Sequence, residues 1–274
     1  MSAARRRPGD RGRPRRPRSP RPAPRRAGPE PALPDLSRYG TLAEYNRKRH
    51  FGVTPEPPGR PAPARGDRPR RFVVQKHQAG HLHYDLRLEH RGVLLSWAVP
   101  RGPSLDPTVK RLAMETEPHP LDYAQFEGVI PEGQYGAGTV MIWDQGVWAP
   151  VAGDRLGTDA DVDRQLARGE LRFVLLGRKL AGGWTLVRTD DRRWLLIKHR
   201  DRTASTEDVT VSRPRSVVSN RTMAGIARAA GASPRQLAAA AAADPPRAAA
   251  ARAAGPARPR RAAHVGARRP RGGR

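Results

Sequence analysis

From Phe72 to His199 the apolar and polar side chains exchange places with a period of two, the pattern of half-buried β-strands. Segments 71–77, 81–89, 93–99, 111–117, 138–143, 170–176, 183–189 and 193–199 carry this pattern between turns rich in Gly, Pro and Asp. Among them only 160–168, ADVDRQLAR, has helical spacing. Short strands punctuated this way predict a mainly β fold with a few short helices, either a closed or nearly closed antiparallel barrel or a sandwich. Upstream, 36–50 has apolar residues such as Leu42 and Tyr45 at helical spacing and predicts a short helix. The Pro-rich stretch 51–70 reads as an extended connector.

The strictest alternation is HLHYDLRLEH, residues 81–90. Its even positions Leu82, Tyr84, Leu86 and Leu88 are apolar, so His83, Asp85 and Arg87 share the other face. The preceding strand is separated from it by only Gln78, Ala79 and Gly80, a hairpin-length connection. Pairing 77 with 81 would set 75 against 83 and 73 against 85, and parity would gather Gln75, His77, His83 and Asp85 on one side of the sheet. Two imidazoles and a carboxylate make a three-ligand divalent metal site with open positions; the donor set suits Mn, Fe, Co, Ni or Zn without choosing among them. His81 shares the parity but sits at the turn and is expected to be a bystander. His119 is held between Pro118 and Pro120 in constrained extended backbone. PEGQYGAGT (131–139) has glycines like a phosphate loop but lacks the Lys-Ser/Thr ending and precedes a strand, so it reads as a tight turn.

Charge changes the picture at the ends. Of the formal +26 carried by 274 residues, 1–30 holds +9 (eleven Arg against Asp10 and Glu30) and 231–274 another +9 (ten Arg against Asp244), leaving +8 for 31–230. Such Arg/Pro/Ala-rich segments cannot bury enough apolar surface to offset ordering entropy and are expected to be disordered. The expected organisation is a basic tail at 1–35, the helix and connector at 36–70, a β-barrel core at 71–200, a C-terminal extension at 201–230 and a second basic tail at 231–274. An Arg-dominated polycation calls for a polyanion, of which a nucleic-acid backbone is the commonest. With no Cys there is no disulfide framework, thiolate metal site or Cys nucleophile. No apolar run is long enough to span a bilayer and no secretory signal starts the chain, so an intracellular, cytoplasmic and nucleoid-associated protein without a membrane role is expected.

The assembled motifs resemble the 3′-phosphoesterase module of bacterial DNA ligase D, from about Leu42 to Lys198. The resemblance is carried by YNRKRHF with TPEP (45–57), RFVVQKH (71–77), LHYDLRLE (82–89), SWAVPRGPSLDP (96–107), KRLAME (110–115), HPLDYAQFEGVIPEGQYGAGTVMIWD (119–144) and WLLIKH (194–199). SVVSNRTMAGIA (216–227) is similar to the segment that joins that module to a ligase, and no ligase follows it, so a stand-alone enzyme is expected. The resemblance implies a β-barrel, manganese dependence and processing of DNA 3′ ends during end joining. It assigns His77, His83 and Asp85 as metal ligands, in agreement with the parity argument. It further implies catalytic positions at Arg87 and Arg111, which contact phosphate, and at Gln75, His119 and Tyr123, with substrate-binding positions at Arg49, Glu56 and Arg101. The implied partners are DNA or RNA–DNA primer-template 3′ ends, with a separate DNA ligase, polymerase and end-binding protein. Two positions depart from the family: His50 stands where Asp is usual, and Arg101 where Lys is usual, replacing a point charge by a fork. The competing expectation is a non-catalytic nucleic-acid-binding or chromatin-associated protein that works through its tails.

Overall fold

The computed structural model describes residues 41–60, 62 and 65–246. Expectations for 1–40 and 247–274, including most of both basic tails, lie outside the described residues. The strands are β1 (Arg70–Gln78), β2 (Leu82–His90), β3 (Val93–Val99), β4 (Lys110–Pro120), β5 (Gly128–Ile130), β6 (Gly138–Ala152), β7 (Arg155–Leu156), β8 (Glu170–Gly177), β9 (Ala181–Arg188) and β10 (Arg193–Lys198). The helices are α1 (Ala43–Arg47), α2 (Asp159–Arg168), α3 (Val209–Ser212), α4 (Met223–Ala229) and α5 (Pro234–Ala243), with a 3-10 turn at Leu121–Gln125. Strands pair in the order β1-β2-β3-β4-β10-β9-β8-β6, and β6 pairs back onto β1. Eight antiparallel strands therefore close a barrel, which removes exposed edges. Closure decides for the barrel over the sandwich. Among the described residues no helix is long and apolar enough to cross a membrane.

Alternation sorts the side chains of the wall. Phe72, Val74, Leu86, Leu88, Leu95 and Trp97 face the lumen, where they join Phe173, Trp184 and Trp194 in the main core. The opposite, outer face of β1, β3 and β6 carries a second, smaller core of Tyr45, Val73, Leu94, Leu121, Tyr123, Ala124 and Ile142. Through Tyr45 and Tyr123, that core brings the 41–60 segment and the 3-10 turn onto the outside of the barrel wall. The outer face of the β1–β2 hairpin is thereby roofed rather than bathed in water, and Gln75, His77, Asp85 and Arg87 are all buried.

One expectation is corrected. A disordered basic tail is expected over 231–274, yet 234–243 forms α5, with Ala240 and Ala243 buried. Ser233 caps it, its hydroxyl accepting from Gln236 N–H, and Pro234 occupies the first turn, where a missing N–H does no harm. At its other end, the buried Lys76 ammonium donates to Ala243 O at 2.6 Å. The Asp244 carboxylate accepts from the Met223 and Ala224 N–H groups that open α4. By composition alone the Ala-rich stretch reads as low complexity, whereas its high helix propensity and this capping make it an ordered element.

Candidate active site

The hairpin register differs from the one expected. His77 lies opposite His83, Gln75 opposite Asp85 and Val73 opposite Arg87, and Gln78 pairs with Leu82 around the loop 79–81. The slip is two residues in index sum, an even number, so every side chain keeps its face. His77, His83 and Asp85 consequently converge, their candidate ligand atoms lying within 4.8 Å of one another.

The hydrogen bonds of the two imidazoles fix which nitrogen is free. His77 Nε2 stands 2.9 Å from Gly136 O, and His83 Nδ1 stands 3.0 Å from His81 O. A carbonyl only accepts, so those nitrogens carry the protons and leave lone pairs on His77 Nδ1 and His83 Nε2. Both lone-pair nitrogens stop 3.7 Å from Asp85 Oδ2. Ligand atoms about 2.1 Å from one ion stand roughly 3.0–3.4 Å apart, so a small inward adjustment accommodates a divalent cation. Backbone carbonyls orienting the far ring nitrogen are the usual outer support of such ligands. The donor chemistry thus fits a divalent ion. Burial opposes charge on Asp85, but Arg87 and the two imidazoles hold its carboxyl well below the usual carboxylate range. For His83 burial works against protonation, yet the Asp85 contact outweighs it and raises the pKa.

Around this triad the cations are held in fixed positions. Arg87 donates from Nη2 to Asp85 Oδ2 at 3.0 Å, from Nε to Gln75 Oε1 at 2.8 Å and from Nη1 to Ser96 Oγ at 2.9 Å. Gln75 uses its amide N–H groups on Tyr123 O and Phe126 O, tying Arg87 to the roof. On the other side, Arg49 lies 3.7 Å from the Tyr45 ring centroid and donates to Glu56 Oε1 at 2.9 Å; Glu56 also accepts from Thr54. Arg49 Nη2 reaches His119 Nε2 at 3.4 Å, while His119 Nδ1 donates to Glu117 O at 2.9 Å. Burial, then the fields of Arg87 and Arg49, hold the His119 pKa well below its ordinary value. His119 is therefore a neutral imidazole whose Nε2 accepts. Burial pushes the Tyr123 phenol well up, so it stays protonated.

A groove of about 150 Å³ opens here, and its lining includes Arg49, His77, His83, Asp85, Arg87, His119 and Tyr123. Gln75 and Glu56 touch it through the arginines they hold. Arg101 is exposed in the turn after β3, and His50 is exposed with its carbonyl accepting from Val53 and Thr54 N–H, so neither is brought to the groove. Arg111 is not brought there either. It lies opposite Leu196, on the face shared by Ala113 and Trp194. The cause is an irregularity in the β3–β4 ladder: Ser96 faces Thr116 but Leu94 faces His119, so one extra residue in β4 reverses the alternation between Arg111 and His119. Sequence reasoning missed Glu117, Thr116 and Tyr135, which also line the groove. Glu117 stands two residues from His119 in EPHP, a spacing that signalled a shared face. Lys48, also missed, donates to Glu117 Oε2 at 3.1 Å.

Known proteins match the stretch of chain that carries most of this site. A family profile described as DNA ligase D 3′-phosphoesterase domain matches residues 75–188. The multifunctional non-homologous end joining protein LigD of Pseudomonas aeruginosa is 51% identical over 189 residues, covering 66% of this chain and 22% of that protein. The multifunctional non-homologous end joining DNA repair protein LigD of Mycobacterium tuberculosis is 44% identical over 154 residues, 56% of this chain and 19% of that protein. The LigD protein of Mycolicibacterium smegmatis is 38% identical over 161 residues, 58% of this chain and 21% of its own length. The chain thus spans about a fifth of the length of the curated relatives it matches.

Proposed function

Since the chain belongs, over residues 75–188, to the DNA ligase D 3′-phosphoesterase domain family, we propose that it is a metal-dependent phosphoesterase that trims nucleic-acid 3′ ends for repair by end joining. The observation that carries the reading is the convergence of the free His77 and His83 lone pairs on Asp85, next to the fixed guanidinium of Arg87. His77, His83 and Asp85 would hold the divalent ion, Mn2+ by family resemblance, which draws charge from a phosphoryl oxygen and lowers the pKa of water.

The chain's own residues do the rest. Arg87 stabilises charge that develops on the phosphoryl oxygens, and Gln75 and Ser96 keep its fork aimed. Arg49, held by Glu56, stands where a second phosphate oxygen fits, beside His119. On a primer with a ribonucleotide at its end, water adds to phosphorus, the bond to the terminal nucleoside's 5′ oxygen breaks, and that oxygen leaves with a proton. The primer keeps a 3′-phosphate. A second water then adds to that phosphorus, the bond to the 3′ oxygen breaks, and inorganic phosphate leaves a 3′-hydroxyl. Neutral His119 accepts from Arg49 at rest and is therefore a phosphate-positioning group first. It acts as the proton donor to the 5′ oxygen only after phosphate charge offsets the two arginines that depress its pKa. Need for a 2′-hydroxyl in the first step alone would separate RNA-ended from all-DNA primers.

Arg101, exposed in the turn after β3, would meet a phosphate farther along the strand, and the basic segments would add salt-dependent affinity. The partners of this reading are primer-template 3′ ends, with a DNA ligase, polymerase and end-binding protein acting on the same break in the nucleoid. The test is incubation of the purified chain with labelled 3′-ribonucleotide and 3′-phosphate primers, with each divalent metal in turn and with chelator. Conversion of both primers to a 3′-hydroxyl with metal, and of neither with chelator, is expected. Chelator-resistant conversion, or equal cleavage of all-DNA diesters, would turn the reading toward another nuclease.

A further inference from the structure

Among the described residues, the large apolar side chains left exposed are Val53, Leu112, Tyr135, Leu156, Leu176 and Val218. Of these, Tyr135 alone lines the groove that holds His77, His83 and Asp85. The residue is 52% exposed, so it contributes little to the core. It is nevertheless held in place. Lys48 Nζ lies 4.7 Å from the ring centroid and 3.4 Å from the phenol oxygen, and the Arg49 guanidinium lies 5.7 Å from the centroid. The next residue, Gly136, adopts φ 74, which favours glycine, and its carbonyl is the one that orients His77. The loop that fixes a metal-ligand tautomer therefore also sets an aromatic ring at the mouth of the site.

Size says what such a ring meets. At about 150 Å³ the groove is smaller than the roughly 300 Å³ at which small-molecule pockets begin, so it has room for a group the size of a phosphate rather than for a whole nucleotide. We infer that Tyr135 is a stacking platform for the terminal nucleobase of the 3′ end. The inference rests on the phosphoesterase reading and names a subsite that only its first step uses. Every base has a π-face, so the platform accepts any base while requiring that there be one. A primer that ends in a 3′-phosphate presents no base beyond the phosphate, and its hydrolysis bypasses the ring.

The experiment uses the full chain as wild type, Tyr135→Ala and Tyr135→Phe. The substrates are a primer ending in a ribonucleotide, the same primer ending in an abasic ribose, and a 3′-phosphate primer. Tyr135→Ala is expected to raise KM for the first about tenfold with kcat little changed, to match wild type on the other two, and to be rescued by Phe. Equal loss on abasic and base-bearing ends, or loss on the 3′-phosphate primer, would overturn the platform and assign the ring to support of His77. No loss on any substrate would overturn it as well. A primer ending in 2-aminopurine ribonucleotide gives a readout without turnover, because stacking changes its fluorescence. A Tyr135-dependent change in a wild-type protein that cleaves nothing would leave the platform standing and remove the phosphoesterase reading; its absence in a protein that cleaves would do the reverse.

Discussion

Two clusters on β1 and β2 are built from His, acid and Arg, and they end in opposite states. At the far end, Glu89 accepts from Arg68 and from both the backbone and side chain of Arg71, and His90 Nε2 meets Asp163 at 2.8 Å. Arg70 closes on Asp159 and Arg91 on Asp163. The acids there are spent on direct partners. At the near end the imidazoles stop 3.7 Å short of Asp85, and their protons are drawn away by Gly136 and His81 carbonyls. Residue type does not separate a structural ion cluster from a candidate metal site; the direction of the unused lone pairs does.

The sharpest way to break this contrast is to remove one acid from each cluster. Asp85→Ala should lower metal-dependent turnover more than about a hundredfold, beyond the effect of disturbing an outer support, and abolish metal binding by calorimetry. Asp163→Ala should leave turnover within about twofold. Comparable activity losses in the two proteins would end the distinction. The converse effect is on stability. Glu89→Ala should cost about 1–3 kcal/mol in urea unfolding with turnover retained, since two arginines lose a charged acceptor but are exposed enough to rehydrate.

Acidity gives a smaller effect. Burial lowers the pKa of His90 despite Asp163, so the unfolded chain binds the extra proton more readily. The His90 contribution is complete above the ordinary histidine value of about 6.5 and is lost as pH falls through it. Melting temperature should decline on acidification below that point, and His90→Gln should flatten the decline; an unchanged slope would contradict the assignment. The smallest effect expected is that of His81→Ala. His81 supports His83 through its carbonyl, so turnover should change less than about twofold, whereas a tenfold loss would make its imidazole a working group.

Legibility followed the range over which each feature is determined. Period-two patterning located β3 at 93–99 and placed β2, β8 and β10 within a residue or two at each end, because alternation is set strand by strand. The same alternation put Gln75, His77, His83 and Asp85 on one face. What the pattern could not carry was anything dependent on a neighbouring strand. The extra residue in β4 that turns Arg111 to the lumen is visible only in its ladder with β3. The roofing of the outer face needs Tyr45 and Tyr123 to arrive from separate segments. Tyr135 sits inside a tight turn, and nothing local in the sequence says that a turn overhangs a groove.

The loop 79–81 sets a rule for length changes. A pleated ladder distinguishes odd from even: one residue inserted there would, in an otherwise unchanged β2, carry His83, Asp85 and Arg87 into the lumen and turn Tyr84, Leu86 and Leu88 under the roof in their place. Two inserted residues would slide the strand by a full repeat and keep each face. Insertions and deletions in this hairpin should therefore survive in pairs, as a reading frame of two.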